Sequence, residues 1–244
     1  MTTTTRTTSG SHVTSIIRRA LGWGARAIPE MPWSATRSRW ELRPATLAVL
    51  TTGLWAFGTG EALLVDAHLG NSPWTALSQG ISRHSPLSIG MATLAISVFV
   101  LVAWIPLRER PGFGTFANAV VIAVAIDRML PLLPQPTPIA WRLLEVAAGI
   151  SAIGFGSVLY LTAHLGPGPR DGWMVAIARL TGRPIPLVRL GIESAVLTTG
   201  WFLGGAVGIG TLLFALLVGH TIGIFLRAAS AVRTRAAVTS GYPS

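Results

Sequence analysis

The chain contains two copies of one segment, and this duplication limits the folds it can adopt more than any other feature. Ala67–Leu77 reads AHLGNSPWTAL, and Ala163–Trp173, ninety-six residues later, reads AHLGPGPRDGW. Gly112–Thr115 (GFGT) recurs at the same offset as Gly208–Thr211 (GIGT). From Pro44 to Leu130, 25 of 87 positions are identical at this offset without a gap. A fixed period of this kind indicates a repeated structural unit.

The composition excludes an ordinary soluble domain. Half of the 244 residues are hydrophobic, only 11% are charged and the mean hydropathy is +0.57, whereas soluble domains carry about 25% charged residues. A formal net charge of +10 can attract nucleic acid. The arginines, however, cluster in the first 43 residues, between apolar runs and near the C-terminus. Cytoplasmic loops of membrane proteins have this pattern, so the predicted partner is the lipid bilayer and not nucleic acid.

Six apolar runs are long enough to be membrane spans. About 20 residues of α-helix cross a hydrocarbon core ~30 Å thick. Between the third and fourth runs, Leu130–Pro138 is dense in proline, which a helix interior does not tolerate. We therefore predict an all-α polytopic membrane protein with six transmembrane helices. The predicted spans are Ala45–Val65, Ser88–Leu107, Phe113–Leu130, Trp141–Leu161, Leu187–Gly205 and Ile209–Leu226.

The placement of arginine predicts the orientation of these spans. If the N-terminus is cytoplasmic, the loops that carry Arg108, Arg110 and Arg179 are cytoplasmic as well, as the positive-inside rule requires. Residues 44–140 and 141–228 then each contain three spans, and an odd number turns the second copy upside down. We therefore predict a 3+3 inverted repeat in the bacterial cytoplasmic membrane, with both termini cytoplasmic.

Two tails flank the repeats. Residues 1–43 form a basic cytoplasmic tail in which Val13–Ile28 has the pattern of an amphipathic helix. Such a helix would lie on an anionic membrane surface. Residues 229–244 are polar and basic, and we predict that this tail is disordered.

Each copy of the duplicated segment predicts a short helix that does not span the membrane. Pro73–Ile81 and Pro169–Leu180 are too short or too polar to cross the bilayer. Proline is favoured as the first helical residue, with Ser72 or Gly168 before it as the cap. Two interpretations are open. The helices are either re-entrant, with their positive N-termini facing an anion near mid-membrane, or interfacial connectors on the membrane surface.

The starts of these short helices supply the candidate substrate-binding residues. An aspartate in the first helical turn is favoured by the helix dipole, and the arginine beside it can pair with it, bind a lipid phosphate or contact a solute. A purely local structural pair is the alternative. The first copy has uncharged residues at these two positions, so any charge chemistry is asymmetric. The candidate set is Pro73, Trp74, Thr75, Pro169, Arg170 and Asp171.

Ionisable residues inside a span are costly and are therefore functional candidates. Glu193 lies inside the fifth span, and Arg189 is four residues earlier on the same helix face. This spacing predicts a buried ion pair or a role in proton coupling. His220 in the sixth span joins this set, with a packed histidine as the alternative. Glu61 and Asp66 lie near the outer end of the first span, and no role is assigned to them.

Glycines recur at four-residue spacing in the last two spans. Small residues at this period let helices approach closely in lipid. We assign a helix-packing role to Gly200, Gly204, Gly208, Gly210, Gly219 and Gly223.

Several short motifs between residues 44 and 226 carry a family likeness. They are LGNSPW at 69–74, SIG at 88–90, RPGFGT at 110–115, GPGPRDGW at 166–173, Arg189-x-x-x-Glu193 and GGAVGIGT at 204–211. They resemble the YczE/YitT-like family of bacterial integral membrane proteins, and most closely its actinobacterial YczE-type members, which lack the soluble C-terminal domain of YitT. The chain departs from the family pattern at Thr75, where Asp is usual, and at His220, where Pro is common. The resemblance implies class and location more than activity.

Two function hypotheses follow. The first is a transporter or permease for a small anionic or zwitterionic solute, with the site between the repeats. The alternative is a non-transporting accessory or regulatory protein that packs against a partner through its glycine-lined faces; a homo-oligomer is compatible with both. His68 and His164 are equivalent in the two copies, but inversion places them on opposite faces unless both segments re-enter the membrane. With no HExxH or GxSxG motif, we predict no catalytic activity, cofactor or metal.

Overall fold

The computed structural model describes residues 28–239, and within that range the chain is helical with no strand. The amphipathic helix predicted over Val13–Ile28 lies outside the described residues, except for Ile28 itself. A short 3-10 turn, Leu130–Leu132, follows the fourth helix. The α-helices are α1 (Pro44–Asp66), α2 (Pro73–Arg83), α3 (Ile89–Leu107), α4 (Phe113–Met129), α5 (Ile139–Thr162), α6 (Pro169–Thr181), α7 (Ile185–Phe202) and α8 (Ile209–Thr239).

Among these helices, five are long and apolar enough to cross a membrane. They are α1, α3, α4 with its following turn, α5, and α8 as far as Ala231. The predicted all-helical, multi-pass membrane architecture is therefore confirmed. The helix at the predicted fifth span, α7, has 18 residues and is not among the five, because Arg189 and Glu193 lower its mean hydropathy.

The folded structure extends beyond the two predicted repeats at both ends of the described chain. The last helix, α8, continues to Thr239, so the tail predicted as disordered from residue 229 is helical up to that point. Its alanines are strong helix formers. At the other end, Ser34 Oγ donates to the Thr162 carbonyl oxygen at 2.5 Å and Trp33 Nε1 donates to Thr162 Oγ1 at 3.2 Å. The end of the N-terminal tail is thus packed on α5.

The central helix pair is α1 and α5, which are counterparts in the two repeats and run antiparallel. Gly53 packs against Gly156, and Gly60 packs against Gly149, so contact positions rise along one helix as they fall along the other. A methyl group on Gly60 would lie 2.5 Å from the Gly149 carbonyl oxygen. The two backbones therefore touch, and only glycine permits this approach.

The duplicated loop of each half packs on the GxGT turn of the other half. In both places a backbone N–H of the turn donates to the loop, and the turn threonine donates its hydroxyl to a loop carbonyl. Gly70 and Gly166 adopt φ values of +110° and +114° in these loops, which glycine adopts without strain. The bonds are Gly210 N to Leu69 O (2.7 Å), Gly114 N to Leu165 O (2.9 Å), Thr211 Oγ1 to Asn71 O (2.8 Å) and Thr115 Oγ1 to Pro167 O (2.8 Å).

The short helices α2 and α6 begin at Pro73 and Pro169, because proline is pre-organised for the first turn. Ser72 occupies the N-cap position of α2, but its hydroxyl makes no capping bond. It donates instead to the Glu61 carboxylate, at 2.8 and 3.0 Å to the two oxygens. The predicted N-cap positions of Ser72 and Gly168 are therefore confirmed, and the Ser72 hydroxyl makes a charge-assisted hydrogen bond to a buried carboxylate.

Each short helix packs on a long helix from the opposite half. Gly200 of α7 lies on the backbone of Ala76 in α2. In the equivalent contact, the Trp104 ring of α3 covers Gly172 of α6, and its Nε1 donates to the Pro169 carbonyl at 3.0 Å. The short helices are thereby enclosed by the bundle.

The six glycines assigned to helix packing divide into three groups. Gly200, Gly208 and Gly210 each lie against a neighbouring backbone. Gly204 instead ends α7 with a φ of +83°, where its backbone freedom matters. Gly219 and Gly223 have no described atom within 4 Å of where a Cβ would lie, so the described chain does not use them for packing.

We expect Thr211→Val and Thr115→Val each to destabilise the protein by about 1–3 kcal/mol, since each leaves a loop carbonyl without its donor. The two effects should add, because the reciprocal contacts share no residue. Denaturant or thermal unfolding of the purified protein, followed by tryptophan fluorescence, measures this. Thr199→Val is the matched control, since Thr199 Oγ1 donates only to Ala195 O of its own helix. Equal destabilisation by the control variant would show that the reciprocal contacts are not special.

Candidate functional site

A cavity of about 530 Å³ lies between the two halves of the bundle. Its walls come from α1, α4, α5, α6, α7 and α8, and the start of α2 closes it on one side. This volume is typical of a site for a small molecule. The charged and aromatic lining residues at its centre are Glu61, Trp74, Tyr160, Arg170, Asp171, Arg189 and Glu193.

Glu61 joins α1 to the start of α2. The side chain is 1% exposed, and its carboxylate accepts hydrogen bonds from Ser72 Oγ and from Thr75 Oγ1, the latter at 2.9 Å. A carboxylate beside a helix N-terminus is also favoured by the helix dipole. The described contacts therefore hold Glu61 rigidly at the wall of the cavity.

The second half contains a similar link with the partners exchanged. Here the hydroxyl belongs to the long helix and the carboxylate to the short one, because Tyr160 of α5 donates to Asp171 Oδ2 of α6 at 2.7 Å. Asp171 lies in the first turn of α6, where the dipole favours its charge. Both short helices are thus attached to the long helix that precedes them by a carboxylate–hydroxyl bond.

Arg170 is the cation between these two carboxylates. Its guanidinium lies 5.0 Å from the centre of the Trp74 ring, and Trp74 is the residue at the equivalent position of the first copy. Trp74 also meets Trp173 edge to face, with ring centres 6.4 Å apart. Stacking on tryptophan stabilises the cation and brings the starts of the two short helices together.

The donors of Arg170 are not used by the described part of the chain. No described residue makes a hydrogen bond or an ion pair with its guanidinium, and the predicted pair with Asp171 does not form. The carboxylates of Glu61, Asp171 and Glu193 act on it only at longer range. Arginine presents five N–H donors in a fixed fork, so Arg170 can bind an anionic group that enters the cavity.

Arg189 and Glu193 of α7 line the same cavity. Arg189 Nε donates to Glu193 Oε1 at 2.8 Å, and the side chains are 35% and 27% exposed. The equivalent residues of the first copy, Thr93 and Ser97, are neutral and buried. The charged pair is therefore particular to the second half.

One end of the cavity is lined by residues at the ends of helices and by the N-terminal segment. Glu109 and Arg179 form an ion pair of 2.7 Å there, and Glu30, Arg39 and His164 complete this rim. Burial holds the pKa of His164 below its ordinary value, against the opposite effect of Glu30. Under the predicted orientation, this end faces the cytoplasm.

The structure brings together some of the predicted site residues and not others. Pro73, Trp74, Arg170 and Asp171 line the cavity with the Arg189–Glu193 pair. Thr75 and Pro169 are buried behind its wall and hold Glu61 and Trp104. His220 is exposed, its ring contacts Leu216 O of its own helix, and it does not line the cavity, so it is not buried with the Arg189–Glu193 pair and its role in coupling stays a prediction. Its helix instead turns Phe214, Val218 and Ile222 towards the cavity.

Sequence reasoning missed Glu61 and Tyr160 as site residues. A signal for Glu61 was available: it follows the glycine-rich stretch Gly53–Gly60, and glycine on one helix face indicates close packing rather than a lipid-facing end. Tyr160 gave no comparable signal, since a tyrosine near a helix end is common at membrane interfaces.

Comparison with known proteins agrees with the membrane architecture. Residues 45–227 match the model of a family described as "Family of unknown function (DUF6198)". An uncharacterised protein of Haemophilus influenzae is 42% identical over 201 residues, 82% of this chain and 92% of that protein. The uncharacterised membrane protein YczE of Bacillus subtilis is 34% identical over 183 residues, 74% of this chain and 82% of YczE. YyaS of the same organism is 28% identical over 178 residues, 71% of this chain and 89% of YyaS. No solved structure matches.

Proposed function

The chain belongs to the DUF6198 family of YczE-like membrane proteins, and on that premise we propose that it is a transporter or permease for a small anionic or zwitterionic solute. The observation that carries the proposal is Arg170, a cation enclosed in a cavity of about 530 Å³ with its donors unused by the described residues. A buried charge is costly unless something pairs with it. A bound anionic group would supply that pairing.

The proposal includes a 3+3 inverted repeat in the cytoplasmic membrane, with α2 and α6 as re-entrant half-helices. The antiparallel α1–α5 pair supports it, because counterpart helices that cross antiparallel belong to copies of opposite orientation. The meeting of Arg170 with its counterpart Trp74 supports it as well. With cytoplasmic termini, the rim at Glu109 and Arg179 faces inwards, and the cavity is open to the cytoplasm.

The cavity residues take separate roles in this proposal. Arg170 binds the anionic group of the solute, and Trp74 holds the guanidinium in place. Asp171 fixes the start of α6 through Tyr160. Either Glu193 takes up and releases a proton that is coupled to movement of the solute, or Arg189 and Glu193 exchange partners when the solute binds. No catalytic step is assigned to any of them.

Reconstitution in liposomes tests the proposal. We expect saturable uptake, above that of empty liposomes, of at least one solute from a radiolabelled panel of glutamate, alanine, betaine, inorganic phosphate, sulfate, butyrate and dodecanoate. Choline is the cationic control and should not be taken up. Asp171→Asn and Glu193→Gln should each lower the uptake. Absence of uptake for the whole panel, with the protein folded, would favour the alternative accessory role, which needs no cavity.

Cysteine labelling tests the inverted topology. The chain contains no cysteine, so a single introduced thiol reports without background. His84 and Leu180 are equivalent positions in the two copies and both are exposed. We expect a membrane-impermeant maleimide added to intact cells to label His84→Cys, and to label Leu180→Cys only after permeabilisation. Labelling of both from the same side would show that the copies are not inverted.

A further inference from the structure

The two halves differ at one helix seam, between α7 and α8. The equivalent helices of the first half, α3 and α4, pack together extensively, whereas α7 and α8 form no extensive contact within the described residues. Because the rest of the bundle follows the repeat, this difference requires a local cause.

A clasp that closes the α3–α4 seam is missing from the second half. Asp127 Oδ1 accepts from the Gly90 backbone N–H at 2.8 Å, and Asp127 Oδ2 accepts from Ser88 Oγ at 2.5 Å. The counterpart of Asp127 is Gly223, which has no side chain. The counterpart of Ser88 is Pro184, which has no hydroxyl, and the counterpart of Gly90 is Pro186, which has no N–H to donate. The sequence of the second half therefore cannot form the clasp.

Two glycines of α8 at this seam face open space. Gly219 and Gly223, the counterparts of Ala123 and Asp127, have no described atom within 4 Å of where a Cβ would lie. In the first half, the counterpart region is so tight that a methyl group on Gly90 would overlap Ala123 and Asp127. At its other end the second-half seam is held, because Gly205 and Gly208 pack against α2 and its preceding loop.

The open part of the seam adjoins the cavity. Arg189 and Glu193 of α7 line the cavity from one side, and Phe214, Val218 and Ile222 of α8 line it from the other. Exposed leucines lie on the outer surface of both helices, Leu187 and Leu190 on α7 and Leu216 and Leu217 on α8. The path from bilayer to cavity is thus apolar, and it ends at a cluster of charges.

We propose that the α7–α8 seam is a lateral portal, and that the occupant is a single-chain amphiphile with an anionic headgroup. The headgroup pairs with Arg170, whose donors are unused by the described chain, while each carboxylate that surrounds it is already engaged: Glu61 with Ser72 and Thr75, Asp171 with Tyr160, and Glu193 with Arg189. The acyl chain lies against the α8 wall and extends through the portal into lipid. This inference rests on the proposed function, since it names the substrate class of that cavity.

Photolabelling of the purified full chain in nanodiscs of zwitterionic phospholipid tests the portal. The probe is dodecanoate with a diazirine in its acyl chain, and adducts are located by mass spectrometry. We expect adducts on α8 beside Gly219 and Gly223 and on the facing side of α7, and we expect excess unlabelled dodecanoate to remove them while equimolar butyrate does not. Adducts spread evenly over all lipid-facing helices, or not displaced by dodecanoate, would overturn the proposal.

Three variants separate the portal from the headgroup site. Gly219→Phe places a ring in the open seam and should reduce displaceable labelling by about tenfold or more, and Arg170→Ala should do the same by removing the headgroup partner. Val124→Phe, at the exposed position of α4 beside the closed seam, should change nothing. Unaltered labelling in Gly219→Phe would overturn the portal. A dimer that is cross-linked through the seam and lost in Gly219→Phe would identify a second copy of the chain as the occupant, against the proposal.

The liposome assay keeps the two proposals apart. Uptake of a short solute such as glutamate, without displaceable labelling at the seam, would support the transport proposal and contradict the amphiphile proposal. Displaceable labelling at the seam without uptake of any solute, dodecanoate included, would support the amphiphile site and contradict the transport proposal.

Discussion

Arg170→Ala should abolish solute uptake in liposomes, with a loss of about a hundredfold or more. Truncating one partner of a buried, hydrogen-bonded charge pair costs about 2–5 kcal/mol, and here the partner would be the solute. The variant also leaves Glu61, Asp171 and Glu193 around a cavity without their central cation, so that the site repels the anion that it should bind. The initial rate of uptake at a fixed solute concentration measures the effect.

Arg170→Lys distinguishes charge from geometry. Lysine keeps the positive charge but lacks the planar fork that binds an anionic group with two parallel bonds, so we expect partial uptake with a raised KM. Arg128→Ala is the matched control, because Arg128 is exposed on α4 and does not line the cavity. Normal uptake by a folded Arg170→Ala protein would show that the solute does not contact this residue.

The sequence was sufficient to predict the helices and the part of the site at the starts of the two short helices. The long apolar runs and the proline at each short helix are local signals, and local signals determine where helices begin and end. The duplication added a long-range expectation, because AHLG and GxGT recur together. In the structure these two motifs contact each other across the halves, which accounts for their shared recurrence.

The sequence was not sufficient for residues whose environment depends on the opposite half. The sequence places Glu61 near the end of a helix. It is buried because the chain turns back into α2, so that Ser72 and Thr75 contact its carboxylate. His220 reads as a mid-span polar residue. It points outwards because the apolar series Phe214, Val218, Ile222, spaced by four, covers the inner face of α8. Periodicity identifies such a face only when the neighbouring helix is known.

The contact that most strongly determines this fold is the crossing of α1 and α5, and enlarging Gly60 should unfold the protein. Alanine normally stabilises a helix by about 1 kcal/mol relative to glycine. At Gly60 the added methyl would lie 2.5 Å from the Gly149 carbonyl oxygen and 2.7 Å from Ile153 Cγ1, so the central helices must separate. Overpacking typically costs about 1–3 kcal/mol. Gly60→Ala should therefore destabilise, and Gly60→Leu should prevent recovery of folded, monodisperse protein from detergent.

The matched control is the same pair of substitutions at Gly191, a helical glycine with open space where its Cβ would lie. Gly191→Ala should be neutral or stabilising by up to about 1 kcal/mol, because the propensity gain meets no clash. The glycine-to-alanine substitution is therefore expected to lower stability at Gly60 and not at Gly191, although helix propensity alone predicts the same effect at both positions. The midpoint of thermal unfolding, followed by tryptophan fluorescence, provides the comparison. If both alanine variants shift the midpoint in the same direction, α1 and α5 do not cross at Gly60 and Gly149. The antiparallel pairing of the two copies would then lose its main support.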